Sequence, residues 1–546
     1  MLPFLSLFKT ATLTTPTIVF RWLIVSLTCV ACSVIYSADK AAQNLPMNIN
    51  LSLKANEQHL INIDLLKGAY LNGYLQGNTS FKASIQSKQG LIYRHFILPG
   101  KSDARVFFVA PTSGQYQLNI LANEQPLDVA ISLKNMPLQA QYSDPKPPIS
   151  SPAIQSAARD MKSGVSHTEI WNQLVKKGTP LVEATDTSKP NERLVTYLWK
   201  GAKRQVRILD PLGREHDEMY RLGTSDIWYR SYHLPTDVRL SYQIAPDVPQ
   251  VDGSKREQRV AILATAQQDP TNPHTWSPDG LTDPYNTKSI LELAKAPPAL
   301  LPSVTSKPTN VQSFQLQDEK LGNTRTIDIW IPEALKEHTK STVPLAIFFD
   351  GTEYQNRIPT PSIMNTLIQE GRIAPTVAVF VDNPDRAARA RELPCRSDFA
   401  DFMAQRLLPF ISEKTSFKFT AETTLLAGAS YGGLASACTA YRYPQHFGRV
   451  LSQSGSFWWS PNKDTSEWLT TQFAESPKLP VKFYLSAGRF EEASGESGIL
   501  SANRRLEQML RVKGYSVELE EFSAGHDYYH WRATLGSALE KMLSAK

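Results

Sequence analysis

Gly428-Ala429-Ser430-Tyr431-Gly432-Gly433 is the stretch whose residue types and spacing suit covalent chemistry. A serine hydroxyl is a weak nucleophile at neutral pH. It gains power when a base takes its proton and N–H groups meet the oxyanion that forms. The run Thr423-Thr424-Leu425-Leu426 reads as a strand, and Leu434, Cys438 and Tyr441 then recur at helical spacing until Pro444. G-x-S-x-G between a strand and a helix is a strained turn that exposes its serine at a helix N-terminus. The helix dipole and the Tyr431 N–H would both favour an oxyanion there. A second donor is expected from the turn after an early strand. Gly351, in Asp350-Gly351-Thr352 after Leu345 to Phe349, is placed for that role or for the turn alone.

The serine needs a base, and the base an orienting acid. His446, His526 and His530 lie downstream. His446 closely follows the serine's helix and reads as a surface residue. His526, in Ser523-Ala524-Gly525-His526-Asp527, follows the alternating strand Val517 to Phe522, and its loop should return over the sheet edge that carries Ser430. His526 is the expected base, with His530 in reserve. Glu491, in Gly488-Arg489-Phe490-Glu491-Glu492 after another strand, is the expected acid. Glu492 and Asp527 stand as alternatives, and a solvated glutamate pair is the plain reading.

Two groups could form a rim. Arg386, Arg389 and Arg391 precede Pro394-Cys395, either as a solvated loop or as an anion clamp. Trp458 and Trp459, in Ser454-Gly455-Ser456-Phe457-Trp458-Trp459, follow a strand-like run. Paired tryptophans in a loop either pack or bind aromatic faces.

The elements that must position these residues fall into three blocks. Residues 45–140 read as an accessory β-sandwich, with short alternating runs such as Asn48 to Leu53 and Ile61 to Leu65 between turn signals. A proline-rich linker spans 141–155. A second β-domain is expected over 156–300, opened by a helix around Ala157 to Lys177. In it Asp226 to Tyr232 carries aromatics on both faces, for a sandwich core or for contact with another domain. From 305 to 546 strands alternate with helices, which implies a mainly parallel sheet covered on both faces. The fold class is therefore α/β: an α/β-hydrolase domain preceded by two β-sandwich-like domains.

The chain has 546 residues and a net charge of +6, with no lysine/arginine run, so nucleic-acid binding is not indicated. Residues 1–38 read as a signal peptide, with Lys9 and Arg21 ahead of the apolar run Trp22 to Ile35 and small residues after it. An exported, periplasmic chain with no membrane segment after processing is expected; an anchored or lipidated form is the alternative. Of its cysteines the mature chain would keep Cys395 and Cys438, which could pair in an oxidising compartment.

These residues together resemble the enterochelin (ferric enterobactin/salmochelin) esterase family over roughly 165–546. The likeness rests on Phe348-Phe349-Asp350-Gly351, Arg391-Glu392-Leu393-Pro394-Cys395, the Ser430 turn, Val450 to Trp459 and Gly525-His526-Asp527. In the middle domain it rests on Gly178-Thr179-Pro180-Leu181, Asp226 to Ser231, and Asp269-Pro270-Thr271-Asn272-Pro273. The resemblance implies hydrolysis of the serine esters of a tri-catecholate trilactone siderophore. It matches Ser430 and His526 to nucleophile and base, and Glu491 to the acid. No cofactor or metal site is expected, because iron would enter only inside the substrate. The export signal and the domain over 45–140 depart from the cytoplasmic members. A general acyl or feruloyl esterase, and a siderophore-binding protein with a dead site, are the competing readings.

Overall fold

The computed structural model describes residues 35–38, 42–136, 149–184, 189–209, 212, 216–301, 310–336, 341–462, 466–492 and 498–544. The targeting segment up to residue 34 and the linker through residue 148 lie outside the described residues.

The N-terminal domain is a β-sandwich, as its alternating runs require. One sheet orders Ile35–Ala38, Glu57–Leu65, Gly114–Ala122, Phe81–Ser87 and Ile92–His95; the other orders Met47–Leu53, Leu127–Met136, Tyr70–Gly77 and Asp103–Val109. Leu127–Met136 alternates buried and exposed positions along most of its length, and its inward side chains join Ile61, Ile63, Val106, Phe108 and Leu118 in one core. Ile35–Ala38, within the segment read as a signal peptide, pairs in parallel with Glu57–His59 and Leu60.

The middle domain has two four-stranded sheets, with a helix hairpin on the first. The single helix expected over 157–177 is two, Pro152–Lys162 and His167–Val175. Gly164, at φ 88°, makes the break, and the side chains of Ser151 and Ser166 cap the two N-termini. The first helix thus begins inside the stretch read as linker. The hairpin also settles the two-faced strand Ile227–Pro235. Trp228 lies in the sandwich core, and Tyr229 packs on the other face with Ile154, Ile170 and Leu174 of the domain's own helices. A third helix, Lys255–Thr265, was not apparent in the hydrophobic pattern, although Ser254 and Glu257 form a complete capping box at its start.

The catalytic-type domain is built on eight strands: β1 (Val311–Asp318), β2 (Asn323–Trp330), β3 (Leu345–Phe349), β4 (Val377–Val381), β5 (Thr424–Ala429), β6 (Arg449–Gln453), β7 (Lys482–Gly488) and β8 (Val517–Phe522). Their order is β1-β2-β4-β3-β5-β6-β7-β8, antiparallel across β1–β2 and β2–β4 and parallel beyond. Every residue of β3, β4 and β5 is buried, as expected for parallel strands covered on both faces. The helical stretch after residue 397 contains a π-turn at Met403–Leu407, just ahead of Pro409, whose missing N–H cannot serve an unbroken ladder.

The N-terminal sandwich docks on the middle domain through Arg94. This fully buried guanidinium lies over the rings of Phe107 and Tyr285 and donates to the carbonyls of Phe107 and Leu263. Burial holds its pKa down to about 10, against the pull of Asp283. Asp283 accepts from the His95 N–H, and Asn286 donates to the His95 carbonyl. Removing a buried, stacked and hydrogen-bonded cation of this kind typically costs about 2–4 kcal/mol. Arg94→Ala is therefore expected to lower the unfolding temperature and to let protease cut after Met136. An unchanged proteolysis pattern and Tm would show that Arg94 does not hold the docking.

Candidate active site

Ser430 stands between β5 and the helix Tyr431–Arg442, at φ 58° and ψ −120°. A non-glycine residue keeps such a backbone only where its surroundings fix it. Here the Ser430 N–H donates to the Gln453 carbonyl of β6, and its carbonyl accepts from the Ser456 N–H. The flanking glycines are required by close approach: a Cβ on Gly428 would lie 2.5 Å from the Gly432 backbone, and one on Gly432 would lie 3.2 Å from an Asp350 carboxylate oxygen. The side chain is partly exposed, and its Oγ is 3.4 Å from Ser456 Oγ.

The acid and the imidazole meet. His526 Nδ1 lies 2.6 Å from Glu491 Oε1, and Glu491 Oε2 accepts from the Gly488 N–H at 2.7 Å. The carboxylate is almost wholly buried at 2% exposure, whereas the imidazole is 40% exposed. This is the arrangement of an anchored acid behind an accessible ring. The strand ends β7 and β8 bring the two together, since a Cβ on Gly488 would press on the Ala524 and Gly525 backbone.

The alternatives are engaged elsewhere. Glu492 accepts from Ser501 Oγ. Asp527 accepts from the backbone N–H and hydroxyl of Ser241, at 2.6 and 3.0 Å, and caps the helix Tyr528–Leu543. It joins the His526 loop to the middle domain. His446 is exposed beside Tyr443. His530 is buried against Phe522, and burial pushes its pKa down to about 4.

A chain of buried polar groups supports the imidazole, and the sequence singled out none of its members for that role. Tyr354 donates to Gln453 Oε1, Gln453 Nε2 donates to the Trp531 carbonyl, and Trp531 Nε1 donates to Ser454 Oγ, each at 2.9 Å. The Trp531 ring then meets His526 edge to face, with centroids 4.8 Å apart. The middle domain braces the same loops: the Arg239 N–H donates to the Ser523 carbonyl, and Phe490 packs against that domain's core.

Tyr431 and Gly351 both open helices at the ends of central strands. Asp350, at φ 55°, turns the chain after β3, and a Cβ on Gly351 would lie 2.9 Å from the Phe380 backbone. The rim group divides. Arg389 forms a two-pronged pair with the buried Asp350 at 2.6 and 2.7 Å, and its guanidinium lies 5.8 Å from the Tyr431 ring centre. Trp458 is exposed and also neighbours Tyr431, 6.3 Å between centroids. Arg391 instead pairs with Glu392, which is committed to the buried Arg325 at 2.5 Å. Trp459 turns inward against Trp468 and the core. Arg386 is exposed at the start of its helix. Cys395 and Cys438 form a disulfide that ties this arginine-bearing segment to the Ser430 helix.

His530 yields a pH prediction. Its folded pKa of about 4 lies below the ordinary 6.5, so the unfolded chain binds more protons between those values. This contribution to stability is complete above pH 6.5 and is lost as pH falls towards 4. Replacing His530 by leucine should flatten that part of the Tm-against-pH curve. An equal fall in the variant would assign the acid sensitivity to other groups.

Comparison with known proteins follows the same division. Residues 194–300 match the family described as "Enterochelin esterase, N-terminal", and residues 319–542 match the family described as "Putative esterase". An iron(III) enterobactin esterase of Dickeya dadantii is 29% identical over 411 residues, covering 67% of this chain and 90% of the relative. An iron(III) salmochelin esterase of Escherichia coli is 26% identical over 410 residues, covering 70% and 96%. Among solved structures, the ferric enterobactin esterase of Salmonella typhimurium superposes with a TM-score of 0.57 at 26% identity, covering 68% of this chain and 98% of that one. The Shigella flexneri enterobactin esterase, crystallised in the presence of enterobactin, gives 0.54 at 26% identity, covering 69% and 98%. Both domains match in the same order behind an additional sandwich: an enterochelin esterase N-terminal domain and then an esterase domain, as the sequence resemblance implies.

Proposed function

We propose that this chain is a serine esterase that opens the ester bonds of a tri-catecholate trilactone siderophore and so releases its iron. The observation that carries the reading is the 2.6 Å contact of His526 Nδ1 with the buried Glu491, on loops at the same sheet edge as the strained Ser430. The names of its relatives supply the substrate class.

In this reading His526 Nε2 takes the Ser430 hydroxyl proton as Oγ attacks an ester carbonyl. Glu491 holds the Nδ1–H tautomer and stabilises the imidazolium. The Tyr431 and Gly351 N–H groups receive the oxyanion. His526 then gives its proton to the departing serine hydroxyl of the trilactone, leaving an acyl-enzyme on Ser430. Water, activated by the same imidazole, hydrolyses it and restores the serine. A ferric tris-catecholate is anionic and aromatic, so Trp458 and Arg389 beside Tyr431 suit it; Arg391, paired with Glu392, is the second candidate. Arginine can stack on a ring while its nitrogens pair elsewhere, as those of Arg389 do with Asp350. Iron stays with the catechols and is cargo, with no resident cofactor required.

Product analysis of ferric and iron-free trilactone incubated with the mature chain tests this directly. Linear dihydroxybenzoyl-serine fragments should appear. Ser430→Ala should cut turnover by several orders of magnitude, and Glu491→Gln should cut it more than Glu492→Gln or Asp527→Asn. Turnover of a small neutral ester with an intact trilactone would identify a general esterase. Ligand binding without any turnover would identify a binding protein.

Export is part of the same proposal. The Cys395–Cys438 disulfide supports it, because such bonds persist in oxidising compartments. Fractionation should recover the chain from about residue 38 onward in the periplasm. A chain that keeps Trp22 to Ile35 and sediments with membranes would mean an anchored form.

A further inference from the structure

The N-terminal sandwich does more than sit on the middle domain. Its loop between Ile92–His95 and Asp103–Val109 carries Lys101, whose Nζ reaches Asp382 at 3.1 and 3.4 Å. Asp382 is the first residue after β4, and its other partner is the hydroxyl of Thr352, at 2.8 Å. Thr352 directly follows Gly351. Asn383, next to Asp382, donates to Asp350 at 2.6 Å. The turn after β3 is therefore gripped on both sides by the end of β4, and one of those grips is completed by a cation from another domain.

We propose that Lys101 is a positioning residue for the hydrolytic reaction, brought by the N-terminal domain to fix the Asp382–Thr352 side of the oxyanion turn and to offset the carboxylates packed around it. The inference rests on the serine-esterase reading above. Asp350, Glu353 and Asp382 converge on this turn. Arg389 answers Asp350, while Arg357 is held in a two-pronged pair by Asp279 of the middle domain, at 2.7 and 3.0 Å. Lys101 is the cation that answers Asp382. Without it, a negative charge would remain uncompensated beside the donor that must receive a developing oxyanion, and field effects in such partly buried surroundings are strong. Glu353 reports the same field. Burial and then Asp350 push its pKa up to about 7, Lys101 pulls it down, Asp382 raises it again, and Arg357 opposes. The phenol of Tyr528 also faces this group and is itself pushed upward, chiefly by burial.

The pair is 24% and 17% exposed, and Arg94, His95 and Asp283 dock the sandwich independently of it. Lys101→Met should therefore fold and remain docked. The test compares the parent chain with Lys101→Met, Lys101→Arg and the double variant Lys101→Met/Asp382→Asn. Each is measured on p-nitrophenyl acetate and on the ferric trilactone from pH 6 to pH 9. For Lys101→Met, kcat should fall about ten-fold at pH 8–9 on both esters with KM changed less than two-fold. The deficit should shrink towards pH 6, where Glu353 retains its proton and the cluster carries one charge fewer. Lys101→Arg should restore most of kcat, and the double variant should recover part of it. A Lys101→Met kcat within two-fold of the parent throughout, or a deficit constant with pH that merely follows a lower Tm, overturns the inference. An active parent with a parent-like Lys101→Met removes this inference alone; a parent inert to both esters removes the esterase reading and this inference with it.

Discussion

The backbone of Ser430 is the constraint on which the rest depends. At φ 58° and ψ −120° it occupies a region that costs roughly 1–3 kcal/mol and persists only under external restraint. The restraint is local and specific. β6 accepts the Ser430 N–H, the Ser456 N–H meets its carbonyl, and the missing side chains of Gly428 and Gly432 let strand and helix approach. Two more positive-φ residues stand at neighbouring strand ends, Asp350 after β3 and Ser454 after β6. Each is tied down by side-chain hydrogen bonds: Asp350 to Arg389 and Asn383, and Ser454 to the Trp531 indole. The strained turns form a row along the C-terminal edge of the parallel strands, the edge where α/β sheets hold their ligands.

Charge at this edge is arranged to hold shape before it binds anything. Arg389, expected at the rim, has its guanidinium nitrogens on a carboxylate that is 2% exposed. Such a pair is sensitive to loss of one partner, because the other is left buried and uncompensated. Arg389 can therefore offer a ligand the face of its guanidinium, beside Tyr431, but not its fork. Trp458 presents a ring next to the same tyrosine. A flat, aromatic and anionic ligand suits that row better than a small aliphatic ester does.

The division between legible and hidden features follows from the range of the interactions. β3 and β8 coincide with their expected spans, because a continuous apolar run and a strict alternation each fix a strand locally. The serine turn was legible because glycine spacing and flanking periodicity are local signals too. Glu491 stood out by position after a strand, yet Glu492 was separated from it only by a tertiary contact, the hydrogen bond to Ser501. β1, an edge strand of mixed burial, and Tyr528–Leu543, a helix buried on most of its surface, lack a clean period and went unseen. Trp459 and Arg391 carried the right chemistry for a rim, but their neighbours Trp468 and Glu392 decided their direction. Trp531 and Tyr354 carried no motif, and Gln453 stood in a family-like stretch without a role, since a buried polar chain is defined by closure in space.

The additional sandwich extends that logic across domains. The middle domain already holds the loop on either side of His526, through Arg239 to Ser523 and through Ser241 to Asp527. It therefore braces the imidazole, while the β-sheet edge braces the serine. The turn after β3 has no such middle-domain backbone contact among the described residues; Arg357 reaches Asp279 only from the end of its short helix. Lys101 fills that gap from the N-terminal domain. A flexibly tethered module could raise local concentration without contributing a fixed charge. A module docked by a buried arginine can hold one cation in a fixed place, and a preorganised site needs such placement because a misplacement of about 1 Å can cost ~100-fold in rate.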